Sequence, residues 1–189
     1  MRGDTLMCGR RGDLALPDDP FVAENQVRFF FSGDRLAVED VGGGNGVFTR
    51  LRAERDVPVG GEMRIGRQRM TLEAVPPLQP GPDGAAAWGS PDAGFRFRLQ
   101  GLMEGGSLGN AYPLKDGETL VGRENGDITF PGDGFVSGRH ATIVVAPDRV
   151  VLRDMGSSNG TFLRLSAPAF VDHGDQFLIG RQLVRLDVV

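Results

Sequence analysis

The segment that decides the fold is residues 122–162, which read GRENGDITFPGDGFVSGRHATIVVAPDRVVLRDMGSSNGTF. Two short runs rich in β-branched residues, 142–145 and 150–152, flank a turn signal at 147–149. Such runs, bounded by Pro, Gly and Asp, are typical of neighbouring strands. The segment therefore predicts a β-hairpin, with small polar residues clustered in the turns on either side of it.

The rest of the chain shows the same pattern of short apolar runs separated by turn residues. Residues 95–99 alternate apolar and polar, and two further apolar runs, 176–179 and 183–188, flank a turn at 180–182. Alternation with a period of two is the signature of a half-buried strand. The 29 glycines and 12 prolines among 189 residues supply many turns, and no window shows convincing helical spacing. We predict an all-β chain built as sandwiches or barrels.

The sequence also repeats itself. A shift of 114 positions places residues 13–75 on residues 127–189 without a gap, with roughly a third of the positions identical. A one-residue insertion upstream of that block aligns Gly9-Arg10 with Gly122-Arg123. A gapless match of this length indicates a tandem duplication, and a repeat of this kind has to be recognised before the fold is assigned.

The repeat predicts two domains, 1–75 and 94–189, joined by a linker at 76–93. That linker reads PPLQPGPDGAAAWGSPDA, a composition that buries little apolar surface. Trp88 lies within it, either docked on a neighbouring domain or exposed. The second copy begins with a strand that the first copy lacks, so the first domain is predicted to be truncated at its N-terminus and to expose a sheet edge.

Composition excludes several classes of function. The net charge of −4 argues against a general nucleic-acid binder, which needs a basic surface. The single cysteine, Cys8, permits no internal disulfide, and with only two histidines it predicts no metal site and no cofactor. No stretch approaches the ~20 apolar residues of a membrane span, and a cytoplasmic location is expected.

Three short motifs follow one another in the second copy: Gly122-Arg123, then Ser137-x-x-His140, then Ser158-Asn159-Gly160. In this order and between strands, they resemble the forkhead-associated (FHA) family. The resemblance covers 94–189 fully, and 1–75 resembles the same family without its first strand. It implies tandem β-sandwiches, of which the second binds a phosphothreonine-containing partner protein that a Ser/Thr kinase has modified.

The residues suit this chemistry independently of the resemblance, because a phosphate dianion needs several strong donors. Arg123 offers a guanidinium fork, and Ser137 and Ser158 offer hydroxyls. Gly138 lets its backbone N–H approach an anion closely. Asn159 has both a donor and an acceptor with which to hold a peptide main chain.

The resemblance assigns the same roles and makes His140, with Gly122 and Gly160, a structural brace for the loops. Arg139 faces either acidic residues of the peptide or solvent. Outside this context, the two serines and Asn159-Gly160 would be ordinary turn residues.

The first copy keeps the strand and turn pattern of the second copy but lacks several of its hydrogen-bond donors. Arg10 and Asn45 remain, whereas Ala23 and Gly44 stand where the second copy has serines. Gln26 replaces the histidine, which predicts a lost brace and a less ordered loop, and Glu24 adds negative charge beside the site. We expect this copy to be structural.

Two other functions compete with this interpretation. One is a phosphate-independent scaffold, or a homodimer formed through the open edge of the first domain. The other is the regulatory fragment of a longer enzyme. No catalytic constellation is apparent in the chain itself, since no serine has a histidine and an aspartate at triad spacing and no Gly-rich loop opens a helix.

Overall fold

The computed structural model of the protein describes residues 5–77, 79–86, 88–91 and 93–187. Within that part of the chain, regular structure consists of strands and one three-residue 3-10 helix, Glu104–Gly106, which confirms the all-β prediction. No helix in the described ranges has the length and apolar character that a membrane crossing needs. The strands are β1 (Thr5–Gly9), β2 (Leu14–Ala15), β3 (Val27–Ser32), β4 (Arg35–Asp40), β5 (Val47–Arg50), β6 (Arg55–Asp56), β7 (Glu62–Ile65), β8 (Gln68–Ala74), β9 (Phe97–Leu102), β10 (Leu108–Leu114), β11 (Gly117–Gly122), β12 (Ile128–Thr129), β13 (Ala141–Val145), β14 (Val150–Asp154), β15 (Thr161–Arg164), β16 (Ala169–Phe170), β17 (Gln176–Ile179) and β18 (Gln182–Arg185).

The strands form two compact units that do not coincide with the two sequence repeats. The first unit combines the chain up to Arg52 with the chain from Gly160 onward, and the second unit is Ala53–Asn159. Each unit therefore combines the N-terminal part of one repeat with the C-terminal part of the other. The predicted domains, 1–75 and 94–189, follow the repeat in the sequence, whereas the compact units exchange its C-terminal halves.

The first unit has a five-stranded sheet in the order β16-β4-β3-β1-β2 and a second run of strands in the order β15-β5-β17-β18. Its core draws on both repeats. Phe29 from the first repeat meets Phe177 from the second edge to face, with ring centroids 5.9 Å apart. Burying each such side chain contributes about 1.5–3 kcal/mol, so this core holds the exchanged halves together.

The second unit repeats this plan. Its five-stranded sheet runs β12-β11-β13-β14-β6, and its other strands run β10-β9-β8-β7. Here β6 and β8 come from the first repeat and pair with β14 and β9 of the second. Leu72 on β8 and Leu99 on β9 stand opposite each other, and both are fully buried.

The pairing of β8 with β9 gives a physical reason for the exchange. Within the described residues β8 pairs with β7 of its own repeat on one side and with β9 of the second repeat on the other. In the second unit β9 covers β8 and leaves Met70 and Leu72 no more than 1% exposed. Exchange thus buries two large apolar side chains that would otherwise lie at a sheet edge.

The exchange also changes the role of residues 76–93. The described residues of this segment form no strand, as its composition predicts. Both of its ends, however, lie in the second unit, where it joins the antiparallel neighbours β8 and β9. The segment is therefore a long hairpin loop rather than a connection between the two compact units, and Trp88 within it is fully exposed.

Candidate functional site

Three loops of the second unit bring the predicted site residues together, and Ser137 lies at their junction. The backbone N–H of Arg123, just after β11, donates to the carbonyl of Ser137 at 2.9 Å. From the loop after β14, the N–H of Ser158 donates to the Ser137 hydroxyl at 3.1 Å. Residues that lie 35 positions apart in the chain thereby meet at one serine.

His140 supports this junction from the interior of the second unit. Its side chain is fully buried, and its Nδ1 accepts a hydrogen bond of 3.0 Å from the N–H of Ser137. Its own backbone bonds to Val121 and to Met155, both at 2.9 Å. The ring therefore orders the serine loop and does not project into solvent, where a ligand would be.

Replacing His140 with alanine should lower the melting temperature of the protein. The change leaves the N–H of Ser137 without its acceptor and opens a cavity, at a cost of about 1–3 kcal/mol for the unpaired group alone. Thermal unfolding followed by circular dichroism measures the effect, with Arg139→Ala, at the exposed neighbouring position, as the control. A His140→Ala protein that melts with the wild type but binds no ligand would place the histidine in the binding site instead.

Of the three predicted glycines, Gly122 is required by space and Gly160 by its backbone conformation. A Cβ on Gly122 would lie 2.1 Å from the carbonyl oxygen of Gly138, and a Cβ on Gly160 would lie 2.3 Å from Nε of Arg50. Gly160 also has φ of +85°, a conformation that other residues rarely adopt. A Cβ on Gly138, by contrast, would have no neighbour closer than 3.9 Å. Gly138 thus leaves open space beside Ser137.

The Arg123 side chain is 39% exposed, and its Nε lies 2.5 Å from a carboxylate oxygen of Glu124. This acidic neighbour was not anticipated from the sequence. The guanidinium of Arg123 thus already has an acidic partner within the protein. Arg139 is exposed and, within the described residues, has no side-chain hydrogen bond or ion pair, so the structure leaves both of its predicted roles open.

The loop that carries Ser158 and Asn159 is shaped by Asp154. One carboxylate oxygen of Asp154 accepts the N–H groups of Gly156 and Ser157 at 2.9 Å, and the other accepts the Ser157 hydroxyl at 2.6 Å. Ser157 is thus a buried structural serine, whereas Ser158 is exposed. Asn159 uses its Nδ2 to bond the carbonyl of Phe135 at 3.0 Å, and within the described part of the chain its Oδ1 accepts no hydrogen bond.

Sequence reasoning missed an aspartate that attaches the first repeat to this site. Asp133 is buried and accepts the backbone N–H of Arg67 and the Nε2 of Gln68, both at 2.8 Å. Its other oxygen accepts the N–H of Phe135 at 3.0 Å. The Arg67 guanidinium lies over the Phe135 ring, 4.7 Å from its centroid. The turn between β7 and β8, from the first repeat, is thereby fixed beside Asn159, which bonds the carbonyl of the same Phe135.

The same arrangement occurs in the first unit, with the repeats reversed. Asp19 accepts the N–H of Arg181 at 2.7 Å, and the Arg181 guanidinium lies 4.5 Å from the ring centroid of Phe21. These positions are identical in both repeats. That identity is the signal that could have marked Asp19 and Asp133 as structurally required.

Another aspartate, Asp127, stabilises the loop that carries Arg123. Asp127 accepts the backbone N–H of Leu120 at 2.8 Å and the Lys115 ammonium at 2.6 Å. The hydrogen bond from Lys115 is the main cause that lowers the pKa of the Asp127 carboxyl. Because the folded-state pKa lies below the unfolded value, this contribution to stability is present at neutral pH and is lost as the pH falls through the folded-state pKa.

The corresponding loops of the first unit correct one prediction. Gln26 is 1% exposed, and its Oε1 accepts the N–H of Ala23 at 3.0 Å, just as His140 accepts that of Ser137. Its Nε2 donates to Asp40 at 2.9 Å. The expectation of a lost brace was therefore wrong, because a buried amide makes the same hydrogen bond. That the loop is less ordered stays a prediction. The missing hydroxyls at Ala23 and Gly44 remain, and Glu24 forms an exposed ion pair with Arg11 at 3.4 Å.

Comparison with known proteins gives one match. Residues 119–180 match the family model described as FHA domain, which spans a third of the chain and contains every predicted binding residue. A domain of this family implies phosphothreonine-dependent protein binding in general, and such domains are interaction modules rather than catalysts. The chain matches no curated protein and no solved structure.

Proposed function

We propose that the second unit binds a partner protein through a segment containing phosphothreonine. The observation that carries the proposal is the junction at Ser137, where the backbone of Arg123 and that of Ser158 both bond to one residue. A buried histidine orders that residue from behind. Donors held in place before a ligand arrives bind it with less loss of conformational entropy.

The proposed phosphate ligands are groups that can still form hydrogen bonds after their contacts within the protein are counted. The Ser137 hydroxyl accepts from Ser158 and keeps its own proton for an anionic oxygen. The Ser158 hydroxyl is exposed, and Gly138 leaves room for its N–H to approach. Arg123 exchanges its contact with Glu124 for one with the phosphate, which carries more charge than a carboxylate.

Asn159 then fixes the peptide main chain. Its Nδ2 is oriented by the carbonyl of Phe135, which sets the plane of the amide and leaves its oxygen open to a backbone N–H of the ligand. We further propose that Arg139 contacts acidic residues of the same ligand, since its guanidinium is exposed and has no partner within the described residues. Gly122, His140 and Gly160 keep their structural role.

A phosphothreonine peptide should bind more tightly than its unphosphorylated twin and more tightly than the phosphoserine version. A phosphopeptide library pulled down by the intact chain supplies the ligand, and titration calorimetry then compares the three forms of one sequence. The preference for threonine over serine is the family's expectation. Equal affinity with and without the phosphate would contradict the proposal and leave the phosphate-independent scaffold as the better interpretation.

The wider setting is also part of the proposal. The partner is phosphorylated by a Ser/Thr kinase, and the chain acts in a signalling or scaffolding role in the cytoplasm, in keeping with a single cysteine that can form no internal disulfide. The phosphate site of the first unit is silent, because Ala23 and Gly44 supply no hydroxyl. On this proposal the first repeat supports the second, and its turn at Arg67 supports the site.

A further inference from the structure

The strand β18 lies at an open sheet edge of the first unit. Within the described residues it pairs with β17 on one side and with no strand on the other. Gln182 and Arg185 are exposed, and Leu183 is 54% exposed. Val184 and the following Leu186 pack against the core but remain only half-buried. An edge with apolar side chains and free backbone groups is a template for another strand.

The second unit shows which residues of a neighbouring strand pair with such an edge. The repeat aligns β8 with β18, so that Leu72 corresponds to Leu186 and Glu73 to Asp187. In the second unit an apolar residue, Leu99, stands opposite Leu72, and Arg98 stands opposite Glu73 in an ion pair of 2.8 Å. A strand that covers β18 and the two residues after it in the same way needs an apolar residue opposite Leu186 and a cation opposite Asp187.

The backbone at the end of β18 and in the two residues that follow it is oriented for this pairing. The N–H of Leu186 donates to Asp175 and its carbonyl accepts from Gly174, so both groups point toward the neighbouring strand. Because these directions alternate along a strand, the N–H and carbonyl groups of Arg185 and Asp187 point to the open side. These two residues are the ones that a new strand would hydrogen-bond.

We propose that this edge pairs with the same edge of a second copy of the chain, forming an antiparallel dimer centred on Leu186. In that register Leu186 stands opposite its own copy, and Arg185 stands opposite Asp187 of the other chain on both sides of the centre. The edge thus supplies both features that β9 supplies to β8, and an interface of this kind is two-fold symmetric. Arg185, the last residue of β18, already lies 2.9 Å from Asp187, so the opposite charges are in place. The dimer does not depend on phosphate binding.

Charge reversal tests the register. Sedimentation equilibrium over a wide range of concentrations should give twice the chain mass for the wild type. Arg185→Asp and Asp187→Arg should each weaken the dimer by ~10-fold or more, because each places like charges opposite one another twice, which destabilises strand pairing. Arg149→Asp, at an exposed position on the second unit, is the control and should leave the dimer unchanged.

Mixing the two variants separates this interface from any effect within one chain. In the mixed pair, the acidic side chain introduced by Arg185→Asp faces the basic side chain introduced by Asp187→Arg, and on the other side of the centre the two unchanged residues, Asp187 and Arg185, face each other. The mixture should therefore form a heterodimer at concentrations where each variant alone is largely monomeric. Circular dichroism and melting temperature establish that both variants are folded. The proposal is overturned if the wild type is monomeric at every concentration, if either variant dimerises like the wild type, or if the mixture remains monomeric.

Discussion

A chain cut once in the loop between β8 and β9 is expected to remain a single particle of unchanged mass under native conditions. The cut leaves β1 to β8 on one fragment and β9 to β18 on the other, yet each compact unit needs strands from both. Separation would break the six residue pairs between β8 and β9 and expose Leu72 and Leu99. It would also divide the core in which Phe29 meets Phe177. With about 1.5–3 kcal/mol lost for each such side chain, the fragments should stay tightly associated.

The experiment requires a protease recognition sequence inserted between Asp83 and Ala85, both in the loop and both exposed. Size-exclusion chromatography with light scattering then compares cut and uncut protein, and the same run in denaturant checks that the cut is complete. Two separately eluting fragments would show that each repeat folds on its own, with boundaries near 1–75 and 94–189. Co-elution in buffer and separation in denaturant is the result that the exchanged units require.

Arg123→Ala should weaken phosphothreonine-peptide binding by ~10- to 100-fold, because one charge-assisted contact contributes about 1.5–3 kcal/mol. The melting temperature should change little, since the guanidinium is partly exposed and bonds only to the exposed Glu124 within the described residues. Calorimetry on the intact chain measures the loss of affinity. Unchanged affinity in a folded variant would remove Arg123 from the site.

The repeat supplies a matched control for this variant. Arg10 occupies the corresponding position in the first unit, where its backbone N–H bonds Ala23 as that of Arg123 bonds Ser137. Arg10→Ala should therefore leave affinity and stoichiometry unchanged, because no serine hydroxyl accompanies it. If Arg10→Ala lowers the affinity or the number of bound peptides, the first unit binds phosphate and the division of roles between the two copies is wrong.

Several features of the site were accessible from the sequence because they are local. Ser137 and His140 are three residues apart, and the turn Ser158-Asn159-Gly160 is contiguous, so chemistry and spacing can be read together. Other features were not accessible. That Gln26 could replace the histidine depends on whether its amide reaches the N–H of Ala23, and only the folded loop shows that it does. The contact between Glu124 and the guanidinium of Arg123 likewise depends on side-chain rotamers, which the sequence does not give.

The sequence alone predicted an all-β chain, two similar sets of strands, and one set of loops that carries arginine, serine and asparagine side chains. These follow from alternation, turn residues and short motifs, all of which act over a few residues. The folded chain alone shows that the N-terminal part of each repeat packs with the C-terminal part of the other. Met70 corresponds to Val184 and Leu72 to Leu186, so the two aligned segments share apolar positions and local pattern cannot choose which of them completes a unit. The choice follows from a long-range contact, because β9 buries Met70 and Leu72 when it pairs with β8.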